Sequence, residues 1–180
     1  MIRRFGGPPE LEVAEVPWVF AGRGEVLIRV QASSVNGTDL RVRSGGLGLI
    51  GAAQLPLVLG FDVSGEVVAC GPGVTAFQPG DLVYSLLGHR GGGAAEYVAA
   101  PQSRVAVAPS RIALRDAAAV PLAGLTALQM LLGQGRLVAG QRVLVYGAAG
   151  GINCPPRPHL WSVKVSSLPF KPPATSTPPT

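Results

Sequence analysis

Residues 142–151 read RVLVYGAAGG, an apolar strand pattern running into a glycine-rich turn. A nucleotide-binding βαβ unit begins in this way, with a strand, a tight turn and a helix whose first free N–H groups meet a phosphate. The next residues are INCPPRPHLWSVKVSSLPFKPPATSTPPT, with Pro155, Pro156 and Pro158 where the first turns of that helix belong. One proline is accommodated at a helix start, but Pro158 works against continuation because its ring lacks an N–H and crowds the preceding turn. Composition changes at the same point. Twelve arginines and no lysine precede residue 151, Lys164 and Lys171 come after it, and eight of the seventeen prolines fall after it. The expectation is a globular front half joined to an unrelated tail, as a frameshift, altered splice or truncated reading frame would give. Residues 152–180, proline-rich and acid-free, are expected to be disordered.

Working outward, the 180 residues suit one domain and a remnant. An apolar fraction of 47% and a charged fraction of 14% suit a well-buried globular body. The net charge of +5 divides into +2 for residues 1–150 (twelve Arg against ten Asp and Glu) and +3 for the tail, from Arg157, Lys164 and Lys171. Scattered arginines without clustering or interleaved aromatics argue against a nucleic-acid partner. Cys70 and Cys154 could pair only by joining body to tail, so a reduced compartment is expected. The start, MIRRFGGPPELEV, has no apolar core of a signal peptide. Residues 117–135 carry no charge, yet Pro121, Gly124, Thr126, Gln129 and Gln134 interrupt them; a soluble core helix is expected, with no membrane partner and a cytoplasmic location.

Along the body, LEVAEV (11–16), EVLIRVQAS (25–33), GFDVSGEVVACG (60–71), the end of VTAFQPGDLVYSLL (74–87), AAEYVAAP (94–101) and RVAVAP (104–109) read as strands. Turns at AGRG (21–24), Gly71-Pro72-Gly73 and Pro79-Gly80-Asp81 separate them. VNGTDLRVRSG (35–45) reads as a loop or short helix. Six or seven short strands between turns suggest a compact, partly open β-barrel. LRDAAAVPLAGLTALQMLLGQG (114–135) then switches to helical composition, broken once at Pro121, before the strand RVLVYG.

GEVLIRVQASSVNGTD (24–39), LPLVLGFDVSGEVVACGPGVTAFQPGDLV (55–83), GGGAAEYV (91–98), DAAAVPLAGLTAL (116–128) and AGQRVLVYGAAGG (139–151) together carry a family resemblance. The chain resembles the zinc-independent medium-chain dehydrogenase/reductases of the quinone oxidoreductase (zeta-crystallin) type. The resemblance implies a mostly β GroES-like barrel over residues 1–110. The first helices and strand of an incomplete α/β Rossmann domain for NADPH come next, over residues 111–151. It also implies hydride transfer to a quinone or conjugated enone as small-molecule substrate, and a homodimer as the family's assembly. Whether residues 1–180 are themselves an enzyme stays open. The alternative is a non-catalytic barrel, unstable or dependent on a partner to cover apolar surface.

Zinc-using relatives carry a cysteine in the loop after the early strand and a histidine in a Gly-His-Glu triplet. The corresponding positions here are Asn36 and Phe61, and phenylalanine offers no ligand atom. The stretch that would hold a four-cysteine zinc lobe reads LLGHRGGGAAEYV, and His89 and His159 have no ligand spacing, so no metal is expected. Without a Lewis acid, acceptors that spread charge onto a delocalised oxygen are favoured, and the protein must supply hydrogen bonds to that oxygen. Asn36 is the candidate donor by its amide; the alternative is an Asn that organises its own Asn-Gly turn. Asp39 is the second candidate catalytic residue, or fixes the loop through backbone hydrogen bonds. Relatives often carry a tyrosine near position 41, where this chain has Arg41. The resemblance places Thr126 by the nicotinamide, with a helix-facing threonine as the alternative. It also assigns Gly147, Gly150 and Gly151 to the phosphate turn, where a missing Cβ lets backbone approach pyrophosphate. The family's next glycine is replaced by Asn153.

Overall fold

The computed structural model describes residues 1–46, 55–88, 90–146 and 160–164. Gly147, Gly150, Gly151, Asn153 and His89 lie outside the described residues, as does the tail apart from 160–164. The chain forms two compact units, residues Met1–Ala123 and Gly124–Thr180.

The first unit is built on β1 (Glu25–Ser33), β2 (Asp62–Cys70), β3 (Leu82–Leu86), β4 (Tyr97–Pro101) and β5 (Val105–Val107). They form one antiparallel sheet in the order β4-β1-β2-β3-β5. β1 lies in the interior of the sheet, between β4 and β2, and its run of Val26, Leu27 and Ile28 is buried. Its pairing with β2 slips between Leu27 and Ile28 and again between Val30 and Ala32. Such irregularities bend and twist a strand, which curls this sheet into the half-barrel expected for residues 1–110. Inside the curl, Val26, Ile28, Val63, Val67, Val83, Leu87, Val98, Ala100 and Val105 form the main core. A second cluster of Ile2, Val42, Leu57, Leu59 and Phe61 packs beneath α1 (Gly37–Ser44), the short helix left open by VNGTDLRVRSG.

The expected strand over LEVAEV is not formed. Leu11, Val13 and Val16 are exposed, and the segment's backbone is tied to the body through Met1 and Glu12. An alternating pattern becomes a strand only beside a ladder partner, and among the described residues none pairs with it. The helical stretch breaks at Pro121 as read, into α2 (Leu114–Ala117) and α3 (Pro121–Leu128), with a single π-helical turn over Gln129–Gln134. α2 packs on β1, β2 and β3 with Ala117 and Ala118 buried. The first unit therefore runs past residue 110, the boundary read from the sequence, and on to Ala123. Among the described residues no helix is long and apolar enough to cross a membrane.

In the second unit, β6 (Arg142–Tyr146) is the strand read as RVLVY. It pairs antiparallel with β7 (Leu160–Lys164), Arg142 opposite Lys164 and Tyr146 opposite Leu160. β7 lies inside the segment expected to be disordered, so that expectation is corrected for these five residues. LWSVK carries an aromatic and a β-branched residue and no proline, and an open edge such as that of β6 is a template for such a segment.

Candidate functional site

The site residues chosen from the first unit meet where α1 begins. Asn36 is the N-cap, in extended conformation, and Asp39 stands at the third helical position. Asp39 Oδ2 accepts the backbone N–H of Asn36 at 2.8 Å, the reciprocal half of a capping box. Its other oxygen, Oδ1, accepts the N–H of Gly60 at 3.1 Å, pinning the helix start to the chain entering β2. Asp39 is buried, and burial raises its pKa above the ordinary carboxylate value. Backbone N–H groups of Asn36, Gly60 and Asp39 itself oppose this shift, and the nearby Asp62 carboxylate adds to it.

Asn36 reaches in the other direction. Its Nδ2 donates to Asp62 Oδ2 at 2.8 Å and to Ser34 Oγ at 3.0 Å, while Ser34 Oγ donates to the same Asp62 oxygen at 2.8 Å. Asp62 Oδ1 accepts the backbone N–H of Leu122, in the first turn of α3, at 3.0 Å. Asp62 is fully buried, and both of its side-chain oxygens are met by donors. The structure thus joins Asn36 and Asp39, and adds two residues that the sequence reading missed, Ser34 and Asp62. The available signal was Asp62 itself, an acid heading a strand rich in apolar residues, which a buried position must partner. Thr126 is half-buried on α3 in the second unit.

Phe61, beside Asp62, points into the second apolar cluster with Ile2 and Leu59. Among the described residues no group of three or more His, Cys, Asp or Glu side chains is placed to hold a metal ion. A groove of about 910 Å³ runs between the extended segment at 12–19 and residues 94–97, where Trp18 and Tyr97 meet with ring centroids 4.8 Å apart. Neither Asn36 nor Asp39 lines it.

Asp39→Asn keeps the size of the side chain but turns an NH2 toward one of two buried N–H donors. Equilibrium urea unfolding should show a loss of about 1–3 kcal/mol, the cost of an unsatisfied buried donor. The pH dependence fixes the sign independently. The folded protein holds the Asp39 proton more tightly than the unfolded chain, so the wild type loses stability as pH rises from the unfolded pKa through the raised folded one. The stability gap between wild type and Asp39→Asn should therefore narrow as pH rises through that window, and a gap that widens there would contradict the burial argument.

Comparison with known proteins bears on the whole first unit. The alcohol dehydrogenase GroES-like domain family matches residues 22–110. A chloroplast envelope quinone oxidoreductase homolog of Arabidopsis thaliana is 36% identical over 153 residues, spanning 82% of this chain and 46% of the plant protein. A quinone oxidoreductase of Lama guanicoe is 36% identical over 152 residues, spanning 84% of this chain and 45% of its own length. The chain belongs to the quinone oxidoreductase-like medium-chain dehydrogenase/reductases. A mycobacterial member of known structure, complexed with NADPH, superposes with a TM-score of 0.68 at 36% identity, over 77% of this chain and 42% of that one. The chain spans about half the length of the curated relatives it matches.

In the second unit the described neighbour of β6 is the antiparallel β7, whereas a βαβ unit places a parallel strand beside its first strand after a crossover helix.

Proposed function

We propose that these residues are the acceptor side of a cytoplasmic, zinc-independent, NADPH-dependent reductase of quinones or conjugated enones, and that the 180 residues alone are catalytically silent. The carrying observation is the Asn36 amide held between Asp62 and Ser34 at the position where zinc-using relatives place a ligand. Phe61 in an apolar cluster at the second ligand position supports a metal-free mechanism. The family relatives named for quinones support the acceptor class, and the NADPH-bound neighbour supports the cofactor, which a longer chain would hold on its other half.

Reduction of a quinone or enone puts a developing negative charge on an oxygen, and a donor already oriented toward it lowers the barrier. One Asn36 N–H stays on the Asp62–Ser34 pair, whose oxygens lie 2.8 Å apart on one side of Nδ2, and the other N–H is the one offered to the acceptor oxygen. Asp39 holds the turn at its helix and does not touch the acceptor. In a version extended to the length of its relatives, Asn36→Ala should lower quinone turnover about ten-fold, or about 1.4 kcal/mol in the barrier. Steady-state kinetics with 1,4-benzoquinone test this, and unchanged turnover would make Asn36 a turn residue only.

A second reading has its own observation. Leu128, Met130, Val138 and Leu144 of the second unit are 45–67% exposed. Apolar side chains at that density favour a module that depends on covering surface supplied by further chain or a partner. Light scattering of the purified 180 residues tests this reading: self-association supports it, and a monodisperse monomer would overturn it.

A further inference from the structure

The carboxylate of Asp62 has no part in the capping of α1, yet it is the point where three elements meet. Oδ2 gathers the Ser34 hydroxyl and the Asn36 amide from the segment after β1, and Oδ1 takes the Leu122 N–H at the head of α3. Asp62 itself is fixed from behind, because its backbone carbonyl accepts the Ser33 hydroxyl at 2.8 Å and its strand is paired on both sides. A planar amide held through one N–H to a fixed acceptor can rotate little, so the direction of its second N–H is set. We infer that Asp62 is a positioning residue, orienting the Asn36 amide so that the N–H turned away from Asp62 and Ser34 faces the acceptor oxygen, and tying that orientation to the first turn of α3 at Leu122. The inference rests on the reductase reading for the identity of the acceptor, while the orientation of the amide is a property of these residues alone.

A neutral residue at 62 separates positioning from bulk. Asp62→Asn retains one oxygen, but its NH2 must face either Leu122 N–H or the Ser34–Asn36 pair. It can therefore serve only one side at a time. Ser34→Ala removes the second oxygen on that side of the amide and leaves the Asp62 bond intact. Ser34 is only half-buried, so this substitution spares the core.

The test is nuclear magnetic resonance of the 180-residue chain labelled with nitrogen-15, monitoring exchange with water of the two Asn36 side-chain protons. The backbone amides of Val26 and Ile28 report on the fold. In wild type the Asp62-facing proton should be protected. Asp62→Asn should speed exchange of that proton at least ten-fold while the β1 amides keep their protection. In Ser34→Ala the Asp62-facing proton should stay protected. Loss of its protection in Ser34→Ala would make Ser34 the anchor and overturn the inference, even if Asp62→Asn does not fold. Unchanged Asn36 protons in a folded Asp62→Asn would overturn it equally. None of these readouts needs turnover, so failure of the reductase reading shows separately, as an extended version that reduces no quinone.

Discussion

Given NADPH and 1,4-benzoquinone, the 180 residues by themselves should show no saturable NADPH oxidation. A version extended with the cofactor half of a relative should turn over at least about 10³-fold faster. The magnitude comes from holding two reactants together, which in well-oriented systems reaches effective molarities of about 10⁵ M or more. On the proposed reading the first unit supplies the Asn36 amide to the acceptor. In the second unit, β6 is paired with an antiparallel strand, and its described residues offer no parallel neighbour of the kind a βαβ unit sets beside its dinucleotide. The expectation is therefore that a quinone placed against Asn36 meets no reductant held beside it. The assay is absorbance at the nicotinamide band across a range of NADPH concentrations. Saturation by the 180 residues alone would overturn the proposal of catalytic silence, and a silent extended version would overturn the reductase reading itself.

Gly60→Ala should cost about 2–6 kcal/mol in urea unfolding, much of the stability of a typical domain. Gly60 lies at φ +89°, a conformation that costs a non-glycine residue roughly 1–3 kcal/mol. A Cβ there would stand 2.6 Å from the backbone nitrogen of Ala94 and 2.7 Å from Ser33 Oγ, and crowding of that kind adds about 1–3 kcal/mol. Neither neighbour can move freely. Ala94 N–H is bonded to Leu59 O at 2.8 Å, and Ser33 Oγ to Asp62 O. The displacement would also pull the Gly60 N–H from Asp39, loosening the start of α1 on which Asn36 sits. Gly24→Ala supplies the control. Gly24 has φ +74°, but a Cβ there meets nothing within 4 Å, so only the backbone term of about 1 kcal/mol applies. Equal losses in the two variants would show that the close approach at Gly60 is not what matters.

The strands were legible where pattern and partner agree. EVLIRVQAS became β1 over the whole of Glu25–Ser33 because its apolar run is buried in the interior of the sheet. LEVAEV has an equally good alternating pattern and formed no strand, because alternation specifies a face and not a neighbour. LWSVK was hidden by the prolines around it, since composition averaged over thirty residues masks five that can pair. At the site, Asn36 and Asp39 were legible from VNGTD as a local turn, which needs only residues three apart. Asp62 was not legible as their partner, because twenty-six residues separate it from Asn36 and only the curl of β1 against β2 closes that distance.

The sequence by itself determined the kinds of element, the punctuation by glycine and proline, and the family, because these depend on neighbours along the chain and on long strings in a shared order. The tertiary structure alone decided which strands found partners and how far the first unit extends. It also decided that the Asn36 amide is held by a buried carboxylate. Those outcomes depend on burial and on hydrogen bonds between residues distant in sequence. A buried polar group must collect its partners from wherever the fold brings them, and for Asp62 they come from the segment after β1 and from the head of α3.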